Sequence, residues 1–332
     1  MDRRNFLKGA AAMGGVALTP SVISTLLGCA AAKQTARVAF VKTTDRAAGV
    51  NRAIDLLGLK SFSGKDLFIK PNFNSADPTP GSTHIDTLSA LIDKLRKMKA
   101  ARMTVGDRSG MGRTREVLEA REVLRLAKDA KVDAIVFDEL AANDWVPIKK
   151  TDMHWQRGFA LPRQVLNAGA IVQACCLKTH RFGGHFTLSL KNSVGLAAKR
   201  VPDDSYNYMS ELHSSPNQRR MIAEINSAYQ PALIVLDGVE AFVNGGPDRG
   251  KQVDAQVILA GTDRIAVDAV GVALLRHYGT TPEVSKGRIF EQEQIARAVE
   301  LGLGISGPDQ IELVTPDADS ADYAKKIRAL LN

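Results

Sequence analysis

The stretch DLFIKPNFNSADPTPGSTHIDTLSALIDKLRKMKAARMTVGD, residues 66–107, decides the fold class of this sequence. It begins with DLFIK (66–70) and ends with RMTVGD (102–107), two short β-rich runs bounded by glycine, proline or polar residues. Between them, apolar side chains recur at the spacing of one helix face: Ile85, Leu88, Ile92 and Leu95. A strand, a helix and a second strand in this order predict a parallel sheet with helices on its faces.

The same alternation continues along the chain. Further β-rich runs are ARVAFVK (36–42), DAIVFDE (133–139), AIVQACCLK (170–178), ALIVLDGVEAF (232–242) and AQVILAG (255–261). Helical periods are TREVLEAREVLRLAKDA, RRMIAEINSAY, DRIAVDAVGVALLRHYG and ADYAKKIRALLN. We therefore predict an α/β protein whose mostly parallel sheet carries helices on both faces, in two α/β lobes at residues 37–196 and 218–332. Residues 197–217 contain two prolines and many polar side chains, which favours a long loop or lid.

Residues 1–28 resemble a twin-arginine export signal. Arg3 and Arg4 precede a weakly apolar run that is rich in glycine, alanine, serine and threonine. Pro20 and this composition argue against a membrane-spanning helix, which needs about 20 strongly apolar residues. We therefore predict that residues 1–28 engage the twin-arginine translocase and direct the protein out of the cytoplasm.

The end of this leader, LLGC (26–29), also resembles a bacterial lipobox, in which Cys29 becomes the lipidated first residue of the mature protein. The alternative is an ordinary peptidase site in the alanines at 30–32. Residues 29–36 then form a linker. The expected location is periplasmic or envelope-anchored, with the membrane contacted only through the signal or a lipid anchor.

The composition of the chain narrows its partners. The formal net charge is +8 at pH 7, but the lysines and arginines are scattered, and aromatic residues make up only 5% of the chain. This argues against a nucleic-acid platform and favours mild attraction to small anions. Cys175 and Cys176 lie in an apolar run and lack the spacing of an iron–sulfur site, so we expect no such cluster of the protein's own.

The stretch NGGPDRGKQ (244–252) matches the beginning of a phosphate-binding P-loop. A P-loop needs a helix after it, whereas KQVDAQVILAG (251–261) is typical of a strand. Gln252 also stands where the magnesium-binding hydroxyl is required. We therefore interpret this stretch as a turn-rich excursion between two strands.

Polar residues follow several of the predicted strands at the point where each ends. The ends of the strands at 66–70, 102–107 and 170–178, and the residues shortly after them, supply Lys70, Asn72, Asp107, Lys178, His180, His185, Lys191 and Asn192. Asp237 ends the apolar run of the next strand, Asp263 follows the last one, and Asp268 lies in the helix after it. Because the carboxyl ends of parallel strands meet at one edge of a sheet, we expect these side chains to form a polar site.

The residue types in this set suggest two kinds of chemistry. Lysines attract a carboxylate or phosphate, and neighbouring carboxylates can hold a divalent cation through their oxygens. Lys178 or Lys191, partly desolvated, can have a lowered pKa and act as a base or nucleophile. The alternatives are structural: Asp263 is equally suited to capping a helix, Asp268 to a buried polar role, and isolated histidines to the surface.

Five segments together resemble the bacterial and archaeal family called domain of unknown function 362, in order from about residue 66 to 275: DLFIKPNF, GDRSG, CCLKTHRFGGHFTLSLKNSVGL, LIVLDGVEAFVNGGPDRG and VILAGTDRIAVDAVGVALL. By this resemblance, the polar residues named above other than His185 fall on motif positions. His84 falls in a turn before a helix that is typical of the family, and Asn244 lies in the NGGP motif. The resemblance implies no particular reaction.

These considerations lead to a defined set of expectations. The expected catalytic residues are Lys178, His180 and Lys191. The expected ligand-binding residues are Lys70, Asn72, His84, Asp107, Asn192 and Asn244. The expected ligands of a divalent metal are Asp237, Asp263 and Asp268. We predict an exported protein with an anion site, and with a divalent-metal site, at strand ends: either an enzyme acting on a small anionic metabolite, or a non-catalytic cofactor- or ligand-binding protein of the cell envelope.

Overall fold

The computed structural model describes residues 35–332, so the export signal and the lipobox lie outside the described residues. The described strands are β1 (Ala36–Lys42), β2 (Asp66–Lys70), β3 (Arg102–Asp107), β4 (Asp133–Val136), β5 (Trp145–Ile148), β6 (Phe159–Pro162), β7 (Ala170–His180), β8 (His185–Thr187), β9 (Pro231–Gly245), β10 (Gly250–Val253), β11 (Val257–Gly261) and β12 (Ile311–Val314). The described helices are α1 (Arg46–Leu57), α2 (Ile85–Lys97), α3 (Thr114–Ala120), α4 (Val123–Asp129), α5 (Arg163–Leu166), α6 (Ser189–Asn192), α7 (Tyr208–Ser214), α8 (Gln218–Ile225), α9 (Arg264–His277), α10 (Pro282–Ser285), α11 (Glu293–Glu300) and α12 (Ala318–Arg328).

Ten of these strands form one mixed sheet with the order β12-β1-β11-β9-β7-β2-β3-β4, in which β10 extends from β9 and β8 from β7. The pairs β9–β7, β7–β2, β2–β3 and β3–β4 are parallel, as is β1–β12. The prediction of an α/β fold with a mostly parallel sheet is therefore confirmed. The sheet runs without a break through both predicted lobes, since β7 of the first pairs with β9 of the second.

One central strand, β11, runs antiparallel to both of its neighbours, β1 and β9. Gly261 at its end lies beside Val38 near the start of β1 and Ile234 near the start of β9. The carboxyl end of β11 therefore lies at the sheet edge opposite to the carboxyl ends of β7, β2 and β3. This reversal decides which of the predicted site residues can meet.

The two faces of the sheet bury different helices because successive strand side chains point to opposite sides. In β11, Ile258 and Ala260 pack in the cluster that contains α1 and α2. Val257 and Leu259 pack in the cluster that contains α9 and α12. Each fully buried side chain of this kind stabilises the fold by about 1.5–3 kcal/mol. The hydrophobic core therefore lies on both faces of the sheet, and the prediction of helices on both faces is confirmed.

Two segments differ from the sequence-based expectation. The helical period at 114–130 is divided into α3 and α4, because Glu122 adopts a left-handed conformation with φ 60° between them. The predicted loop or lid at 197–217 contains the helix α7, whose first amides bond to the Asn207 side chain. Within residues 35–332, no helix is long and apolar enough to cross a membrane.

Candidate functional site

The carboxyl ends of β2, β3 and β7, together with α6 and α7, surround a cavity of about 120 Å³. Its lining includes five cationic side chains, Lys70, Arg108, Lys178, Lys191 and Lys199. The wall also contains two histidines, His180 and His213, and a single carboxylate, that of Asp107. The cavity is therefore strongly biased toward positive charge.

Lys70 and Asp107 form a buried ion pair in the cavity wall. Lys70 Nζ lies 2.7 Å from Asp107 Oδ1, and the two side chains are 1% and 2% exposed. Asp107 also accepts hydrogen bonds from the amides of Phe73 and Arg108, each at 2.7 Å. Burial lowers the pKa of Lys70 and raises that of Asp107, and the ion pair opposes both shifts. Among the described residues that line the cavity, the one carboxylate is thus already paired with a cation.

Asn192 ties α6 to this pair. Its Oδ1 accepts from Lys70 Nζ at 3.0 Å and from Asn72 Nδ2 at 3.3 Å, while its Nδ2 donates to the Lys70 carbonyl at 3.2 Å. Asn72 Oδ1 is buried and has no hydrogen-bond partner in the described chain. Four of the predicted ligand-binding residues, Lys70, Asn72, Asp107 and Asn192, are therefore brought together.

Lys178 extends from β7 and is completely buried. Its Nζ donates to the carbonyls of Gly81 and Pro247, the latter at 3.2 Å. Burial lowers its pKa from the usual value. Carbonyl oxygens carry only partial charge, so these contacts fix the ammonium group in place without cancelling its charge.

Lys191 differs from these two lysines because its amine has no partner. It is only 7% exposed, and among the described residues neither a carboxylate nor a hydrogen-bond acceptor is paired with it. Burial, followed by the nearby charges of Lys178 and Arg108, lowers its pKa from 10.5 to about 7. A substantial fraction of the Lys191 amine is therefore neutral at neutral pH.

His180 lies next to Lys191 for a geometric reason. A Cβ on Gly184 would lie 2.5 Å from Lys191 Cε and 2.9 Å from His180 Nδ1, so only a glycine leaves room for both side chains. His180 Nδ1 is buried and has no partner in the described residues. Burial, and then the charges of Lys191 and Lys178, lower the pKa of His180 well below its usual value. The imidazole is therefore neutral.

Asp268 positions the helix that carries Lys191. Its carboxylate accepts from the amides of Ser189 at 2.8 Å and Leu190 at 3.0 Å, the first two residues of α6. Burial raises its pKa from 3.8 to about 7. The predicted metal ligand Asp268 is therefore a buried support beneath α6, with both oxygens already hydrogen-bonded.

The other two predicted metal ligands lie elsewhere. Asp237 is on the α1–α2 side of β9, where Arg46 Nε donates to it at 2.9 Å and Thr87 Oγ1 at 2.6 Å. Asp263 caps α9 at the opposite edge of the sheet, because β11 is antiparallel, and accepts from the amides of Ala266 and Ile305. The expectation that these aspartates and Asp268 share a site is wrong.

The donor set does not fit a divalent metal. The oxygens of the three aspartates are engaged by backbone amides, a hydroxyl and a guanidinium group, and they belong to three separate places. Within the described part of the chain, no group of three or more His, Cys, Asp or Glu side chains could hold a metal ion. Residues 35–332 therefore offer no carboxylate cluster for the cation that the sequence suggested.

Two predicted ligand-binding residues also lie outside the cavity. His84 is half-buried at the N-cap of α2, where its Nδ1 accepts from the Asp86 amide at 3.2 Å. Asn244 is exposed in β9 and pairs in the ladder with Lys251 of β10. Both are motif residues, but their positions in this fold are those of a helix cap and a strand edge.

Several cavity residues escaped the sequence analysis. Arg108 follows Asp107 in the glycine-rich turn, is 3% exposed, and donates to the carbonyls of Val194 and Ala197 at 2.8 Å. Lys199 and His213 come from residues 197–217. The composition of that segment indicated a loop or lid, and the lining role was not visible because it depends on how α7 packs.

The fold and the cavity together define an α/β protein with a cationic pocket at the carboxyl ends of parallel strands. The chain belongs to the family described as domain of unknown function DUF362, whose model matches residues 67–273. Residues 1–20 match the model of the twin-arginine translocation signal, so the protein is marked for export.

Among solved structures, the chain is similar to the lactate racemase apoprotein from Thermoanaerobacterium thermosaccharolyticum. The identity is 14% and the TM-score 0.44, and the match covers 89% of this chain and 86% of that chain. At these values the likeness carries no functional argument. No curated protein matches the sequence.

Proposed function

We propose that this exported protein binds a small organic anion, a carboxylate or a phosphate, in the cavity at the carboxyl ends of β2, β3 and β7, and acts on it as an enzyme. The observation that carries the proposal is the charge of the cavity wall. Within residues 35–332, five lysine and arginine side chains line the cavity, and the one carboxylate in its wall is paired with Lys70. An anion would complete this arrangement of charges.

The size of the cavity supports a ligand of few atoms. An engineered cavity of about 150 Å³ admits benzene, and the present cavity measures about 120 Å³. Removing a cation from water is unfavourable by several kcal/mol unless it is compensated. A ligand whose negative charge enters this cavity would therefore gain electrostatic attraction in a region where solvent screening is weak.

The catalytic part of the proposal rests on Lys191 and His180. The Lys191 amine, of which a substantial fraction is neutral, and the neutral imidazole of His180 lie close together beside the place where the anion would bind. Within residues 35–332, neither Lys191 Nζ nor His180 Nδ1 has a hydrogen-bond partner. A catalytic acid or base works best when its pKa is close to the ambient pH, and the pKa of Lys191 is about 7. Proton transfer to or from a carbon beside the anionic group is the reaction class that fits this pair.

Calorimetry of the purified protein with a panel of small carboxylates and phosphates tests the binding step. A bound anion stabilises the ammonium form of Lys191, so binding near pH 8 should be accompanied by proton uptake, measured by comparing buffers of different ionisation enthalpy. Lys191→Met should abolish the uptake. Lys251→Met, which removes an exposed lysine of β10, should leave it unchanged. If no anion in the panel binds, the proposal fails.

Turnover is tested by incubating the same panel in deuterated water and following deuterium incorporation by NMR. We expect incorporation at a carbon next to the anionic or carbonyl group, lost in Lys191→Met and lowered about a hundredfold or more in His180→Gln. Binding without any turnover would instead favour a non-catalytic ligand-binding protein of the cell envelope.

A further inference from the structure

The lysines of the cavity differ in what their amines can do. Lys70 Nζ donates to a carboxylate, a carbonyl and an amide oxygen, and Lys178 Nζ donates to two carbonyls. These contacts engage the nitrogen and hold it away from a reaction. Lys191 makes none of them, although it is more than nine-tenths buried and lines the cavity. Among the buried lysines of the described cavity wall, Lys191 is therefore the one with a free nitrogen; the remaining lysine of the wall, Lys199, is exposed to solvent.

We propose that Lys191 Nζ is a nucleophile that forms an imine with an aldehyde or ketone of the bound anion, so that the ligands of the site are small oxo acids or carbonyl-bearing phosphates. This inference rests on the proposed anion binding. Desolvation and neighbouring cations are the known means of activating a lysine for this chemistry, and both act on Lys191. The surrounding cations would hold the anionic end of the ligand beside the amine.

The proton transfers that imine formation requires can be carried out by side chains of this protein. The Lys191 nitrogen adds its lone pair to the carbonyl carbon, and the carbonyl π electrons move to oxygen. With the ring proton on Nε2, His180 Nδ1 takes the proton that the nitrogen loses and returns it to the oxygen. The resulting hydroxyl group receives the second proton of the nitrogen by the same route through His180 and leaves as water while the carbon–nitrogen double bond forms. One water is released, and neither an oxidant nor a reductant is consumed.

His180 is placed for this relay by the same glycine that admits Lys191. The Gly184 position lies within 2.9 Å of His180 Nδ1 and within 2.5 Å of Lys191 Cε when measured from an added Cβ. His180 Nδ1 has no competing partner among residues 35–332. The charged and titratable groups that act on the pair are Lys178, Arg108, Arg181 and His213, none of which is a carboxylate. The ring is therefore free to exchange a proton with the amine.

Reductive trapping tests the inference directly. The protein is incubated with cyanoborohydride and either pyruvate or dihydroxyacetone phosphate, and peptides are mapped by mass spectrometry. We expect the peptide that contains Lys191 to gain the mass of the ligand less one oxygen atom. Propanoate and glycerol 3-phosphate, which have no carbonyl group, should give no adduct. An adduct with only one of the two carbonyl compounds identifies the anionic group that the site prefers.

Matched variants complete the experiment. Lys191→Met should abolish the adduct, and Lys251→Met should retain it. His180→Gln should slow its formation about a hundredfold, because a general acid–base group contributes at least that factor. Adducts spread over exposed lysines to the same extent in Lys191→Met would overturn the inference, as would calorimetric binding of these anions without an adduct. Failure of every anion to bind would instead refute the proposed function.

Discussion

Replacing Lys70 by methionine tests whether the buried ion pair holds the strand ends of the cavity together. Lys70 Nζ lies 2.7 Å from Asp107 Oδ1, and neither side chain is more than 2% exposed. Methionine has a similar length but removes the charge. The substitution also leaves the carbonyl of Pro71 and Oδ1 of Asn192 without this donor.

The size of the stability loss in Lys70→Met follows from the buried charge of Asp107, which remains. Removing one partner of a buried pair leaves an uncompensated charge, which lowers the free energy of unfolding by about 3–5 kcal/mol. Asp107 keeps its bonds from the amides of Phe73 and Arg108, so we expect the lower end of that range. In Asp107→Asn, one carboxylate oxygen becomes an amide donor that faces another donor, and the loss should be similar. The double variant Lys70→Met/Asp107→Asn removes both charges and should lose about 1–3 kcal/mol less than the sum of the single losses.

Urea unfolding of the four proteins at neutral pH measures these differences, provided that the slope against denaturant stays constant. Arg115→Met is a suitable control, because Arg115 and Glu139 form an equally short pair, 2.6 Å, that is about half exposed. Its loss should be far smaller than that of Lys70→Met. Additive single losses, or a Lys70→Met loss no greater than that of the control, would show that the pair does not hold the cavity wall together.

Three further predictions concern the groups around α6. Lys191 has a pKa lowered to about 7, so competitive labelling of its amine should show a midpoint near pH 7, and a midpoint near 10.5 would refute the assignment. Its contribution to stability is present above pH 10.5 and lost as the pH falls through 7, and Lys191→Met should remove that dependence. Asp268 has a pKa raised from 3.8 to about 7, so its contribution is present below pH 3.8 and lost as the pH rises through 7. In the unsubstituted protein, Asp268 should therefore lower the free energy of unfolding by about 4 kcal/mol between pH 4 and 7. Urea unfolding of Asp268→Asn over this pH range should lack that decrease. Gly184→Ala places a Cβ 2.5 Å from Lys191 Cε, which must displace the Lys191 side chain. This displacement should slow adduct formation about a hundredfold, while circular dichroism should show an unchanged fold.

The parallel part of the sheet made half of the site predictable. Lys70 ends β2, Asp107 ends β3 and Lys178 lies near the end of β7. These strands are parallel neighbours, so the rule about carboxyl ends applies to all three residues. Lys191 and Asn192 lie further along the chain, and it is the short α6, supported by Asp268, that returns them to the same edge. Their place was predictable from the motif and not from the strand pattern.

The misplacement of Asp263 has a physical cause that the sequence contained. A β-rich run does not reveal its direction, so the expectation that all carboxyl ends lie at one edge fails for the antiparallel β11. A parallel connection needs a crossover of about a dozen residues or more, usually a helix. The segment between β9 and β11 holds instead a tight turn that begins at Gly246 and the short β10, which pairs back onto β9. A connection of this kind returns the chain in the antiparallel sense.

Asp237 fails for a different reason. Its position in β9 places it on the α1–α2 face, next to Val235 and away from Leu236 in the alternation. There the guanidinium group of Arg46, 191 residues away in sequence, donates hydrogen bonds to Asp237 and to Glu240. Long-range pairing of this sort depends on how α1 packs on the sheet, and no local sequence pattern predicts it. Arg108 and His213 were missed for the same reason.

The buried lysines of the cavity differ in how far neighbouring groups offset their charge, and this difference connects stability with function. Lys70 is balanced by Asp107, and Lys178 is held by two carbonyls, so these cations are tolerated in the interior. Lys191 has no such partner within residues 35–332, and a lowered pKa of about 7 reduces the unfavourable energy of burial because part of the amine is neutral at neutral pH. An anion that enters the cavity would restore that proton, so ligand binding, protonation and folding are linked. A well-packed fold that leaves one buried amine unsatisfied beside an unpartnered imidazole departs from local consistency at one place, and departures of this kind are expected where a protein does its chemistry.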